Sequence, residues 1–276
     1  MLPELLEPDA VGRIAEIYAE IRRFSGVPYV SSLQRYLATL PGVLEWGWDA
    51  LRPALASGVI PETGWHLAAS VRLDNTAPVS RETCRTWGLD AAALAEIRNV
   101  AANFVRVSPV NLVTGACLGH LLTGTLPGGG AALPASWTPP EALPPMPGNV
   151  AIDALPPEQK TVLMRFATSV DGVPFIPALY RQIAHHPPAL AWLADQLVPR
   201  LTASETLVKG AAFRQAARTA APGIIARLPS LPDRPAPDAE TVRKILPAIE
   251  RYAETSPEMT LFGNFILDAL PPSLEP

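Results

Sequence analysis

Two adjacent histidines, His185 and His186, stand immediately before Pro187. A pair of imidazoles could bind a metal ion or relay a proton. Neighbouring side chains on a helix point in different directions, however, and a histidine near a helix C-terminus gains from the dipole without any further role. Placement at a helix end is therefore the simpler reading. His66 and His120 have no cysteine or carboxylate neighbours at ligand spacing. No metal site is expected, and no cofactor. The chain contains no glycine-rich phosphate loop, no H-E-x-x-H, no C-x-x-C and no nucleophile elbow. Gly128-Gly129-Gly130 is followed by no helical pattern, so it does not read as a phosphate cradle. Cys84 and Cys117 make neither a disulfide framework nor a ligand pattern, and read as buried thiols in a reducing cytoplasm.

Ser108-Pro109 and Ser256-Pro257 carry a sharper signal. Serine at an N-cap with proline at the first helical position predicts a helix start at each place. The free N–H groups of such a terminus can hold a small carboxylate, although an ordinary cap explains the pair equally well. Arg106, two residues before Ser108, adds a cation. Trp46 with Asp49 and Trp192 with Asp195 repeat one i, i+3 spacing. Recurrence at matching places argues for a packed ring beside a paired carboxylate more than for a catalytic couple.

Those matching places belong to a longer repeat. Gly26-Val27-Pro28-Tyr29-Val30 aligns with Gly172-Val173-Pro174-Phe175-Ile176, and the match runs on through Leu33/Leu179, Arg35/Arg181, Pro41/Pro187 and Leu55/Leu201. About 13 of about 32 aligned positions are identical, far more than chance gives. A second anchor follows in the same order: Ser108-Pro109 with Gly115 against Ser256-Pro257 with Gly263. We read a tandem duplication, with helical repeat 1 over 1–125, a Pro/Gly-rich linker over 126–156 and helical repeat 2 over 157–276. Two such copies are expected to pack about a pseudo-two-fold axis, and ligand pockets favour interfaces of that kind.

Within the first copy, Asp9 is expected to cap a helix that carries Ile14, Ile17, Tyr18 and Ile21 and ends at Gly26. Pro28 opens a second helix through Leu40, and Pro41 a third. Segments over 63–73 and 80–87 follow, then a helix after Asp90 and a last one from Ser108. The second copy repeats the series from Pro157 to about Asp268. Between them, 126–149 is too rich in Pro and Gly for regular structure and reads as an extended connector, with Trp137 pinning it to one copy.

Composition agrees with helices. Of 276 residues 48% are hydrophobic, enough for a sizeable core, and Ala and Leu dominate over β-branched runs. The 32 prolines fall mostly between helical patterns or at their first turns. The fold class is all-α. Net charge is -4, with no Lys/Arg cluster among aromatics, so neither nucleic acid nor membrane is an expected partner. The apolar stretch Val110–Leu126 holds Asn111, His120 and three glycines, which suits a core helix and not a span. No secretory signal is visible at Met1-Leu2-Pro3-Glu4, so a soluble cytoplasmic protein is expected. A homodimer stays open.

The duplicated Val-Pro-aromatic segment, the Arg35-x-Leu37-Ala38-x-x-Pro41 continuation and Ser108-Pro109 together resemble the group I 2-haloacid dehalogenases, over nearly the whole chain. The resemblance implies an all-helical fold with a buried site between the repeats. There an Asp-activated water displaces halide from a short 2-halocarboxylic acid without a covalent ester. It implies a substrate-binding set of Tyr29, Ser32 and Ser108 from the first copy, with Phe175, Ala178 and Leu179 from the second. Ser108 takes the place of the family's asparagine, Ala178 that of a polar residue, and Leu179 that of the water-activating aspartate. Leucine accepts no proton, and 173–184 contains no Asp or Glu; Asp171 is the nearest acid. No catalytic residue can therefore be named. The expectation is a divergent enzyme on a small carboxylate that has changed or lost its reaction. The alternatives are a non-catalytic binder of a small carboxylate and an interaction module using the segment from Pro139 to Pro147 as a polyproline ligand.

Overall fold

The computed structural model describes residues 2–124, 132–170, 173–229 and 235–275. Asp171, the triple glycine and the first residues of the linker lie outside that set. Among the described residues the regular structure is helical, apart from one short hairpin.

Contacts divide the chain into two compact units, each drawn from both halves of the sequence. The first takes described residues from 1–71, 106–143 and 211–257, and the second from 72–105, 144–210 and 258–276. This division is one of compactness and is separate from the division into sequence copies.

In the first unit, α1 (Gly12–Ser25) buries Ile17, Tyr18, Ile21 and Phe24, which share one face at helical spacing. It ends on Gly26, whose φ of 62° is left-handed and whose N–H returns to the Arg22 carbonyl. Asp9 does not cap it. Pro8 opens a 3-10 turn, Glu7–Asp9, and the N-cap residue of α1 is Val11 with no side-chain cap. Helices α2 (Ser32–Leu37) and α3 (Val43–Ala56) start later than their prolines suggest. Helix α4 runs from Val59 to Ala68, ahead of the expected segment over 63–73.

Helix α5 (Arg81–Thr86) carries a true cap, the Thr83 N–H donating to Ser80 Oγ at 3.0 Å. The long α6 (Ala91–Thr123) begins after Asp90, which accepts from the Ala93 N–H at 2.7 Å. Its residues to Val105 belong to the second unit and the rest to the first. The expected helix start at Ser108 is not found: Pro109 lies inside α6. Apolar periodicity continues through it, with Val100, Phe104, Val107, Val110 and Val113 all buried, so packing carries the helix across its proline. Beside the ladder bond that Pro109 cannot make, Trp65 Nε1 donates to the Arg106 carbonyl at 2.8 Å. Gly64 permits this approach, since a Cβ there would stand 2.8 Å from the Pro109 carbonyl.

In the second unit, α7 (Pro157–Met164) leads into strands β1 (Thr168–Val170) and β2 (Val173–Phe175), paired antiparallel with Thr168 opposite Phe175. Helices α8 (Ala178–Ile183) and α9 (Pro187–Leu201) follow, and α10 (Ser204–Ile225) passes into the first unit after Gly210. Helix α11 (Ala239–Ala269) contains Pro257 in its interior, so the second Ser-Pro is not a helix start either. Ser256 Oγ donates back to the Tyr252 carbonyl at 2.8 Å, a helix-interior bond. Gly263 lets α11 reach α6, where a Cβ would stand 2.7 Å from Val105 Cγ2. Arg98 closes the end of α11 by donating to the carbonyls of Leu267 (3.0 Å) and Leu270 (2.6 Å).

Two alanine substitutions separate these packing terms. Gly64→Ala, which meets backbone, should destabilise by about 1–3 kcal/mol. Gly223→Ala on α10, where nothing lies within 4 Å, should stabilise by about 0.5–1 kcal/mol. Urea unfolding of both variants checks the opposite signs.

Candidate functional site

The first unit brings Tyr29 and Ser32 together around Arg35. Tyr29 lies in the loop between α1 and α2, and Ser32 opens α2. The N-terminal segment fixes that loop. Glu7 accepts from the Val30 N–H at 2.7 Å and pairs with Arg22, while Leu5 N–H reaches the Arg35 carbonyl at 3.0 Å. Arg35 pairs with Glu4 at 2.8 Å and donates to Ser32 Oγ at 3.0 Å. Ser32 also hydrogen-bonds Tyr252 of α11. Burial pushes the Tyr29 phenol well above its ordinary range, against a smaller opposing effect of Arg35, so Tyr29 stays neutral.

Ser108 is buried inside α6, not at a helix terminus. The N–H groups around it belong to the helical ladder, apart from Pro109, which has none. The anion cradle expected from a Ser-Pro start is therefore absent. Arg106 is also committed elsewhere, donating to the carbonyls of Gly26 (3.1 Å) and Glu141 (2.8 Å).

A cavity of about 40 Å³ lies in this unit among α1, α2, α3 and the second half of α6. Leu33, Leu37, Leu44, Leu51 and Leu118 supply much of its apolar wall, and Ser25, Gln34, Asn111 and Thr114 its polar groups. Gln34 Nε2 donates to Asn111 Oδ1 at 2.9 Å, and Gln34 Oε1 accepts from Ser31. The Thr114 hydroxyl is turned to the Val110 carbonyl at 2.7 Å. Asn111 Nδ2 remains as a donor. All four polar groups are neutral, and the space suits about three waters or a ligand of similar size. Tyr29, Ser32 and Ser108 do not line it. Gln34 and Asn111 were visible only as polar residues on otherwise apolar helix faces.

In the second unit, Phe175 closes β2, Ala178 opens α8 and Leu179 is completely buried. The next residue carries more chemistry. Tyr180, also completely buried, stacks on Phe166 with ring centroids 4.0 Å apart and donates its hydroxyl to Glu258 Oε1 at 2.7 Å. Burial raises the Glu258 carboxyl above its ordinary value, with the Tyr180 bond opposing, and it raises the Tyr180 phenol further still. No cation contributes to either group, and Arg181 on the same helix is turned to the Val150 carbonyl at 2.9 Å. Thus α11 brings a desolvated carboxyl to Tyr180, the residue that follows Leu179. Glu258 follows Pro257 within an apolar run, and its burial was the signal that spacing alone did not provide.

The remaining candidates have structural partners. His185 contacts the Gly148 carbonyl and His186 contacts Glu96, each at 2.8 Å, so the two rings face different groups. Asp49 accepts from Arg13 at 2.9 Å and Asp195 from Arg165 at 2.8 Å. Burial pushes the Cys117 thiol up to about 12, which leaves it protonated and unreactive. Among the described residues no group of three or more His, Cys, Asp or Glu could hold a metal ion, and no helix is long and apolar enough to cross a membrane.

No protein-family model and no curated protein matches the chain. Solved structures do. A D-2-haloacid dehalogenase mutant in complex with D-2-CPA is similar with a TM-score of 0.73 at 18% identity, over 97% of this chain and 95% of that one. A D-2-haloacid dehalogenase in complex with L-LA gives 0.72 at 18%, over 97% and 96%. A further mutant of such an enzyme gives 0.72 at 18%, over 97% and 95%. The chain therefore has an all-α, 2-haloacid dehalogenase-like fold.

Glu258 sets a pH signature. Its raised carboxyl keeps a proton that the unfolded chain releases at the ordinary value of 4.5. The unfolded state then binds fewer protons, so stability falls as pH rises from that value through the folded one. Glu258→Gln keeps an acceptor for Tyr180 and removes the titration. The difference between wild-type and variant melting curves, taken from about pH 4 to about pH 9, should show wild type losing ground as pH rises. A difference that does not change with pH would show that Glu258 titrates normally.

Proposed function

We propose that this chain is a divergent relative of the 2-haloacid dehalogenases with a different or lost reaction on a small carboxylate, one that does not run through the family's Asp-activated water. One observation carries the reading: Leu179, aligned with the family's acid, is sealed in the core with no exposure. A general base must reach water or substrate to accept a proton, and this side chain can do neither. The fold likeness supports the relationship, and the dehalogenases it points to are described with D-2-CPA and L-LA. Tyr29, Ser32 and Ser108 are the contacts we assign to a ligand on the first unit, with Ser108 acting through its hydroxyl.

The tandem duplication belongs to the same proposal. Matching prolines inside α6 and α11, matching glycines at 115 and 263, and the similar Arg13–Asp49 and Arg165–Asp195 pairs support it. A non-catalytic binder in the same fold is the second reading, favoured by the neutral polar lining of the first unit's cavity. The linker is a weaker interaction module than its composition suggests, because Arg106 already takes the Glu141 carbonyl and Asn99 those of Pro144 and Pro145.

Incubation with each enantiomer of 2-chloropropionate should release no halide above background. The same acids should raise the melting temperature, and Ser108→Ala should weaken that rise. Turnover that survives replacement of Asp171, His185 and His186 would place the reacting acid elsewhere and overturn the alignment at Leu179.

A further inference from the structure

A second concavity lies on the first unit, at the C-terminal ends of α1 and α3, where the linker passes over them. It encloses about 350 Å³ and is lined by Arg23, Phe24, Ala56, Trp137, Pro139, Pro140 and Ala142. That volume is within the usual range for small-molecule sites, and it is several times that of the cavity at Asn111.

Its walls are held from outside the cleft. The Trp137 ring sits against Gly58, where any Cβ would stand 2.5 Å from it, and its Nε1 donates to Glu62 at 2.9 Å. Farther along, Arg106 holds the Glu141 carbonyl and the Leu143 N–H reaches the Gly26 carbonyl at 3.0 Å. Flat apolar surfaces, an indole and two proline rings, are thus fixed before any ligand arrives.

Arg23 provides the charge. Its guanidinium lies 4.6 Å from the Phe24 ring centroid and makes no hydrogen bond or ion pair among the described residues. The carboxylate that it senses, Glu20, is already bound by Arg52 and by Trp48 Nε1. Arg106, behind Pro140, also lacks a carboxylate partner among the described residues. The carbonyl end of α1 would repel an anion, but two carbonyls there are covered: that of Arg22 by the Gly26 and Val27 N–H groups, and that of Gly26 by Arg106 and Leu143. Glu62 is engaged by the Trp137 indole, and Glu141 is exposed. An uncommitted guanidinium beside fixed aromatic and proline faces matches a carboxylate on a flat apolar body.

We propose that this cleft is a binding site for small aromatic carboxylic acids, with Arg23 taking the carboxylate and Trp137 with Pro139 and Pro140 taking the ring. The site does not depend on the haloacid reading and lies apart from Ser108. Calorimetry with phenylacetate, its neutral analogue phenylacetamide, and acetate tests it on the full chain. Saturable phenylacetate binding is expected, at least tenfold weaker for the amide and for acetate. Arg23 is exposed, so Arg23→Gln should fold normally, by circular dichroism and melting, and lose at least tenfold in phenylacetate affinity. 2-Chloropropionate should not displace phenylacetate, which separates this site from the one assigned above. Absence of saturable phenylacetate binding in the millimolar range would overturn the proposal. So would equal binding of the amide, or Arg23→Gln binding as wild type does.

Discussion

Much of the first unit rests on the contact between Gly64 of α4 and the backbone of α6 at Pro109. A proline inside a helix removes one ladder bond and pushes on the preceding turn, a cost of about 3 kcal/mol in an exposed helix. Neighbouring α4 packs at this place: the missing side chain of Gly64 admits the α6 backbone at Pro109, and Trp65 donates to the Arg106 carbonyl. Two residues later on α6 stands Asn111, joined to Gln34 at the cavity. The position of that amide therefore follows from how α4 supports the proline. The same anchorage sets Arg106, whose guanidinium holds Gly26 and the linker.

The second unit places its polar chemistry by a different means. Tyr180 is locked by stacking on Phe166, and its hydroxyl then fixes the carboxyl of Glu258. A neutral phenol is a modest partner for a buried acid. It satisfies one oxygen without contributing charge, so the carboxyl keeps its proton more readily than a surface glutamate does. The amide pair of the first unit, Gln34 with Asn111, cannot titrate at all. The first unit thus carries an amide couple and the second a phenol–carboxyl couple.

The all-α class was legible because hydrophobic periodicity and Ala/Leu content depend on local geometry alone. The left-handed glycine at 26 and the cap at Asp90 were legible for the same reason. The Ser-Pro pairs were misread since a start signal is local, while the decision to continue α6 and α11 comes from apolar faces that persist on both sides of the proline. Asp9 failed as a cap because Pro8 diverts the chain into a 3-10 turn first. The site was legible only in part. Arg35 bonds Ser32 and acts electrostatically on Tyr29, whereas Gln34, Asn111, Tyr180 and Glu258 owe their importance to tertiary partners, which spacing does not report. The hairpin over 168–175 had no alternation strong enough to announce it.

The seat of Trp137 against Gly58 gives the linker a character that its composition does not. Part of the connector behaves as a ligand bound to its own receptor, tethered by the chain on either side. Tethering of that kind sets an effective concentration in the millimolar range, with no diffusional search. A competing peptide from outside must first displace an occupant that is always present, and reach an indole already docked against glycine. Loss of the Gly58 notch, by any side chain at all, would free the indole end of the connector, while Arg106, Leu143 and Asn99 keep its later residues in place.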